Sequence, residues 1–175
     1  MRAKSKTQAF VLRKKALPGK DYFVVLFTRE FGKVHCIAKG TRSFTSRRSP
    51  HLQTGNLLDV QLQESFSGYF LQETFLTTAF RKTKEDLSKI NHLYTFLFVL
   101  DKMLPEQLPE PDVYQLTMKF LTVLSENDKF SKEETSKFLK RLLHYLGYEF
   151  SGSPSQLVPY IEELIDTKIP LRDIM

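Results

Sequence analysis

The chain has 175 residues, a single cysteine and a formal net charge of +6. A hydrophobic fraction of 41% is enough for a packed core, so wholesale disorder is excluded, and the length fits one compact domain or two small ones. One cysteine excludes an internal disulfide and a Cys-rich zinc site, and the longest apolar runs fall far short of a membrane span.

Charge is unevenly distributed along the chain. Residues 1–83 hold 15 Lys and Arg against 5 Asp and Glu, a net of +10, whereas residues 84–175 carry a net of −4. Concentrated positive charge suits an anionic partner, and nucleic acid is the usual one. We therefore expect a binding surface in the first half of the chain. The alternative is an ordinary, well-charged soluble surface.

Five stretches in the first 80 residues have the composition and alternation of β-strands. They are residues 7–12, 22–27, 33–38, 57–63 and 69–77. The second is an unbroken apolar run, which is typical of a strand buried on both faces, and in the third Val34, Cys36 and Ala38 share one face. Five short strands joined by glycine-containing turns predict a small closed or partly closed barrel. An SH3-like barrel is the alternative on strand count alone.

A basic loop follows the third predicted strand. No acidic residue occurs between Glu30 and Asp59. Lysine and arginine neutralise phosphates, and aromatic rings in single-strand-binding barrels stack on bases. We predict that this surface binds polyphosphate, with single-stranded DNA as the expected ligand. The predicted DNA-binding residues are Lys39, Arg42, Phe44, Arg47, Arg48, Lys33, Arg13, Lys14 and Lys15. Phe66, Tyr69 and Phe70 flank the last hairpin, and we expect Phe70 to be a core residue.

The apolar period becomes helical after residue 80. Helices are predicted over 87–104, from Pro111, from Ser131 and around 157–165. Proline suits the first turn of a helix, and Ser131 with Glu134 has the spacing of a capping box. Gly147 is a natural C-terminal stop. The pattern therefore predicts two domains, residues 1–80 with the strands and residues 81–175 with the helices.

Catalytic and metal-binding motifs are missing from the sequence. The four histidines have no metal-site spacing, and there is no nucleophile elbow, phosphate loop or dinucleotide fingerprint. We therefore expect a protein that is not an enzyme and that uses no cofactor or metal.

Several short motifs resemble the RecO family of bacterial recombination mediators. They are F-V-L at 10–12, P-G-K-D at 18–21, L-F-T-R-E-F-G-K at 26–33, A-K-G-T-R-S at 38–43, S-R-R at 46–48 and, more weakly, L-L-H-Y-L-G-Y at 142–148. The resemblance implies an α+β protein, with an N-terminal five-stranded OB-fold barrel followed by an all-helical domain. It also implies a DNA repair and recombination mediator that binds single- and double-stranded DNA and anneals complementary strands. Such a mediator helps to load recombinase onto strands coated by single-strand-binding protein.

The same resemblance implies protein partners, namely RecR and the acidic C-terminal tail of single-strand-binding protein. It places the protein in the cytoplasm, associated with the nucleoid and not with a membrane. The helix from Ser131 carries a basic rim beside an apolar stripe, which suits an acidic, Phe-ended tail. The predicted partner-binding residues are Lys137, Lys140, Arg141 and Leu143. In the alternative interpretation the leucines of this helix are plain core and its cations form a solvated face.

One departure from the family pattern concerns zinc. Many members carry a four-cysteine zinc module just after the L-G-Y element, whereas residues 149–154 here contain no cysteine. We therefore expect a short form without the module. Two other functions remain open on the residues alone. One is an RNA-binding OB-fold protein, and the other is a non-catalytic adaptor for an acidic protein partner.

Overall fold

The computed structural model describes residues 4–43 and 45–170. The chain forms two compact units. One contains the chain up to Ala79 together with Pro105–Glu110, and the other contains Phe80–Leu104 and the chain from Pro111 onward. Within the described ranges, no helix is both long and apolar enough to cross a membrane.

The first unit is a barrel of five strands. These are β1 (Lys4–Ala16), β2 (Tyr22–Thr28), β3 (Gly32–Ala38), β4 (Leu57–Ser65) and β5 (Gly68–Thr78). They close in the order β1-β2-β3-β5-β4, with β4 returning antiparallel to β1 and β3 pairing parallel to β5. This five-stranded closure is that of an OB-fold. The predicted fold class is therefore confirmed, and the SH3-like alternative is excluded.

Alternating side chains from every strand fill the barrel. The inward set includes Val24 and Leu26 on β2 and Val34, Cys36 and Ala38 on β3, all at most 1% exposed. Burying one such aliphatic side chain contributes about 1.5–3 kcal/mol. Burial also raises the pKa of the Cys36 thiol to about 12, so it stays protonated and acts as a small core residue. The second strand is buried on both faces, as predicted, because the residues from Val24 to Phe27 are all 0% exposed.

The first strand is longer than its hydrophobic pattern. We expected it to end near Leu12 and to be followed by Arg13, Lys14 and Lys15, but β1 continues to Ala16. After a bulge, the backbones of these three residues pair with β2. Their side chains are exposed, so charged residues are tolerated in a strand whose backbone pairing remains complete.

The segment Pro105–Glu110 packs against the turn between β2 and β3. The Gln107 N–H donates a hydrogen bond of 2.9 Å to the Lys33 carbonyl oxygen. A Cβ atom on Gly32, whose φ is +68°, would lie 2.0 Å from the Leu108 carbonyl oxygen. Glycine is therefore required at this position for two reasons, the left-handed backbone and the close approach of another backbone.

The second unit is helical. Its helices are α1 (Arg81–Lys84), α2 (Leu87–Met103), α3 (Pro111–Glu126), α4 (Lys132–Tyr145) and α5 (Leu157–Leu164). Pro111 opens α3, and Ser131 with Glu134 forms the predicted capping box of α4. The core stacks Phe96 on Phe120 with ring centroids 4.0 Å apart. The four-residue helix α1 was not predicted, because it is too short to show a helical period.

Candidate nucleic-acid interface

Two cations lie over one tyrosine at the end of the barrel. The Lys14 Nζ is 4.9 Å from the centroid of the Tyr22 ring, and the Arg42 guanidinium carbon is 5.9 Å from it. Arg42 also donates hydrogen bonds to the carbonyl oxygens of Leu17, at 2.8 Å, and Gly19, at 3.1 Å. It therefore holds the turn between β1 and β2 while keeping its positive charge at the surface.

A row of outward-facing side chains crosses four strands beside this cluster. The strand register pairs Lys15 with Phe23, Phe23 with Ile37 and Ile37 with Phe70. Their neighbours Val24 and Cys36 point into the core, so these four side chains point outward because strand faces alternate. Lys15 is exposed and the other three are partly exposed. We call these four residues the aromatic row.

Each aromatic ring of the row has a cation over it. The Arg13 guanidinium carbon lies 5.9 Å from the centroid of Phe23, and the Lys39 Nζ lies 4.5 Å from the centroid of Phe70. His35 packs beside Phe23 with ring centroids 5.3 Å apart. At exposed sites such cation–π contacts contribute about 0.5–1 kcal/mol each. Positive charge and aromatic surface thus occur together, which is the combination that single-strand-binding barrels use.

The predicted basic loop contributes unequally to this surface. Arg48 is partly buried, and its guanidinium donates to the carbonyl oxygens of Leu71, at 2.9 Å, Gln72, at 3.1 Å, and Lys39. It fixes the loop to β5. Arg47 is exposed. Phe44 was also predicted to bind DNA, but it lies outside the described residues.

Lys33 does not lie on the exposed surface. Lys33 is 6% exposed, and its ammonium nitrogen is 3.1 Å from a carboxylate oxygen of Glu106. The same carboxylate oxygen is 3.4 Å from His35 Nε2. Lys33 was predicted to bind phosphate, but its ammonium instead forms an internal ion pair with Glu106. A buried ammonium requires such a partner of opposite charge.

The turn between β4 and β5 presents an aromatic side chain to solvent. Phe66 is fully exposed. The hydroxyl of Ser65 donates to the Gly68 carbonyl oxygen at 3.1 Å and closes the turn. In OB-folds the face of strands 2 and 3 and the loops β1–β2 and β4–β5 are the parts that bind oligonucleotides. Phe23 on β2, Ile37 on β3 and Phe66 in the β4–β5 turn lie in these parts. The cations flank them, with Arg13 and Lys14 on β1 and Lys39 and Arg42 in the loop after β3.

Another face of the barrel has a different character. A hollow of about 350 Å³ is lined by Lys6, Thr7, Gln8, Asp59, Val60, Gln61, Glu73 and Phe75. Phe75 is 64% exposed there, but it is surrounded by charges of both signs. This face therefore lacks the excess positive charge that attracts a phosphate backbone, and Phe75 is a useful comparison for Phe70 on the same strand.

The predicted partner-binding residues on α4 separate into two groups. Lys137 and Lys140 line a hollow of about 450 Å³, together with Lys132, Glu133, Ser136, Pro154 and Ser155. Arg141 is exposed but does not line this hollow. Leu143 is 1% exposed, so it is a core residue and not a surface contact. The leucine stripe of α4 thus packs inward, and only the cations lie at the surface.

Sequence patterns did not reveal the aromatic row. Phe23 and Ile37 were assigned to strands without a role at the surface, and Phe70 was expected in the core. The alternation of each strand was visible, but the pairing of β3 with β5 joins residues far apart in sequence. Among the described residues, no group of three or more His, Cys, Asp or Glu is placed to hold a metal ion.

Fold and surface together define the class, an OB-fold domain with a basic, aromatic-bearing face that is followed by helices. Comparison with known proteins shows which family the barrel resembles. Residues 1–80 match the family described as "Recombination protein O N terminal". The resemblance to RecO is thus confirmed. The barrel is therefore similar to the N-terminal domain of that family.

Similar proteins are named as DNA repair proteins. The DNA repair protein RecO of Symbiobacterium thermophilum is 29% identical over 138 residues, which cover 79% of this chain and 54% of that protein. The RecO protein of Geobacter metallireducens is 28% identical over 149 residues, covering 84% of this chain and 60% of that protein. That of Syntrophobacter fumaroxidans is 27% identical, covering 82% of this chain and 57% of that protein. The chain therefore spans only 54% to 60% of the length of these relatives.

Proposed function

We propose that this chain takes part in DNA repair and recombination as a mediator without catalytic turnover. In this proposal it binds single- and double-stranded DNA, anneals complementary strands and helps to load recombinase onto strands coated by single-strand-binding protein, with RecR as a partner. The match of residues 1–80 to the RecO N-terminal family and the names of the relatives support the repair role.

One observation carries the DNA-binding part of the proposal. Exposed cations and aromatic rings occur together on the barrel, as Lys14 over Tyr22 at its end and Lys39 over Phe70 in the aromatic row. The cations attract phosphates regardless of sequence, and binding through them weakens steeply as salt rises. Annealing follows from the same chemistry, since two strands lose much of their mutual repulsion when a basic surface neutralises both.

The test removes two cations and keeps the fold. In Lys14→Ala with Lys39→Ala, the affinity for oligo-dT should fall, and the slope of log affinity against log salt should flatten by about 0.7 for each lost contact. The matched control is Lys4→Ala with Lys6→Ala, which removes the same charge from exposed residues at the start of β1. Equal effects in both variants would show that net charge and not this face governs binding. Competition by oligo-U would test the RNA-binding alternative.

A second candidate interaction concerns the hollow beside α4. Three lysines, Lys132, Lys137 and Lys140, line it, and the Lys140 Nζ lies 5.5 Å from the centroid of the Phe150 ring. Clustered lysines around a hollow suit an acidic peptide, and the acidic tail of single-strand-binding protein is the proposed occupant. Glu133 also lines the hollow, so the tail would have to approach from the lysine side.

This interaction is separable from DNA binding. A peptide of the tail should bind with a dissociation constant on the order of 1 μM, about 8 kcal/mol. Lys137→Glu with Lys140→Glu should abolish peptide binding and leave oligo-dT binding in place. The control Lys119→Glu with Lys129→Glu reverses two exposed charges elsewhere in the same unit. Failure of the unmodified protein to bind the peptide at low salt would remove the tail as a partner.

A further inference from the structure

We infer that the aromatic row is a base-stacking track that selects single-stranded over double-stranded DNA, with the strand running across β1, β2, β3 and β5. This inference rests on the proposed function and assigns the selectivity to Phe23 and Phe70, whereas the cations attract any phosphate backbone.

The geometry of the row supports a path across the strands. Neighbouring strands in a sheet lie about 4.8 Å apart, so Phe23 and Phe70, two strands apart, are separated by roughly 10 Å. Lys15 extends the row by one more strand, to about 14 Å in all. Such a track suits a short segment, at the lower end of the range of about 4–16 nucleotides that OB-folds occupy.

Composition along the row matches the repeating unit of a single strand. Each nucleotide carries an apolar base and a charged phosphate, and each ring of the row has a cation over it, Arg13 at Phe23 and Lys39 at Phe70. When a base stacks on the ring, the flexible lysine can move from the ring to the neighbouring phosphate. Ile37 lies between the two rings in the register and keeps the row apolar.

A duplex cannot use this surface in the same way. Its bases are already stacked on each other and present only their edges, whereas single-stranded bases can be splayed out onto aromatic rings. The rings contribute to the affinity for single-stranded DNA, whereas the cations contribute to the affinity for single-stranded and double-stranded DNA alike. The ratio of the two affinities should therefore depend on the rings alone.

The experiment compares Phe70→Leu with Phe75→Leu, which makes the same substitution on the same strand. Phe75 lies on the mixed-charge face and is 64% exposed. The probes are labelled oligo-dT of about 12 nucleotides, long enough for one OB-fold site, and a blunt duplex of equal length. We expect Phe70→Leu to lower oligo-dT affinity at least about 5-fold, equivalent to about 1 kcal/mol, and to leave duplex affinity unchanged.

Two further variants separate stacking from folding. Phe70→Tyr keeps an aromatic face and should retain oligo-dT binding, and Phe23→Leu should repeat the loss at the other ring. Melting temperatures establish that each variant is folded. The stacking track would be overturned if the affinities for oligo-dT and for duplex fell equally. It would also be overturned if neither Phe70→Leu nor Phe23→Leu lost affinity while the unmodified protein binds oligo-dT. Both results would leave the proposed function standing. If the unmodified protein bound neither oligo-dT nor duplex, both the stacking track and the proposed function would be overturned.

Discussion

Replacement of Gly32 by alanine should destabilise the barrel far more than the same change at Gly40. Both glycines have left-handed backbones, with φ of +68° and +67°. They differ in their neighbours, because nothing lies within 4 Å of a Cβ on Gly40, whereas a Cβ on Gly32 would lie 2.0 Å from the Leu108 carbonyl oxygen. The obstacle is backbone, which cannot move aside as a side chain would.

The magnitude follows from what the new methyl group must displace. Left-handed alanine costs about 1–2 kcal/mol, and this cost applies to both variants. At Gly32 the segment Pro105–Glu110 must also move away. That movement breaks the hydrogen bond from the Gln107 N–H to the Lys33 carbonyl oxygen, which contributes about 0.5–1.5 kcal/mol to stability. It also weakens the pairing of Lys33 with Glu106, which is discounted to about 1 kcal/mol because the Glu106 side chain is 52% exposed. The expected excess is therefore about 2 kcal/mol over Gly40→Ala.

Urea unfolding followed by circular dichroism measures this difference. We expect the free energy of unfolding of Gly32→Ala to fall by about 3–4 kcal/mol and that of Gly40→Ala by about 1–2 kcal/mol. The comparison requires equal slopes against urea concentration, since a changed slope signals a different unfolded or native state. Equal losses in the two variants would refute the claim that Leu108 packs against Gly32.

Three other predictions concern single residues in the two units. His92 is 3% exposed, and burial lowers its pKa below the ordinary value, so the folded state resists its protonation. Its stabilising contribution should be lost as pH falls below about 6.5, and His92→Gln should reduce the drop in melting temperature between pH 7 and 5.5. The Cys36 thiol, with its pKa raised to about 12, should react with iodoacetamide only after unfolding; rapid alkylation of the native protein would contradict its burial. Ser131→Ala removes the capping box of α4 and should lower the free energy of unfolding by about 1 kcal/mol, whereas Ser136→Ala within the helix should not.

Local sequence patterns were sufficient for the five strands and the four longer helices, but not for α1 or for the ends of every element. Alternation in Val34, Cys36 and Ala38 identified a half-buried strand, and the capping residues of α4 marked where that helix begins. The extension of β1 through Arg13, Lys14 and Lys15 was missed. Pairing with β2 provides hydrogen-bond partners for the backbone of these residues. Strand propensity calculated from residue type alone does not predict such pairing.

The candidate site was only partly visible for a similar reason. Charge alone identified the basic half of the chain and residues such as Lys14, Lys39 and Arg42, which the fold places beside aromatic rings. It could not separate these from Lys33, which pairs with Glu106 more than 70 residues away in sequence. The aromatic row likewise depends on the register between β3 and β5. Such pairings depend on tertiary structure, so local patterns do not contain them.

The most direct measurement of the central claim is the position of DNA on the protein. Oligo-dT carrying bromodeoxyuridine can be crosslinked by ultraviolet light, and the modified peptides can be identified by mass spectrometry. The account predicts crosslinks to Phe23 or Phe70 of the aromatic row, to Tyr22 at the end of the barrel, or to Phe66 in the β4–β5 turn. Crosslinks confined to Phe75 or to the helices α1–α5 would contradict it.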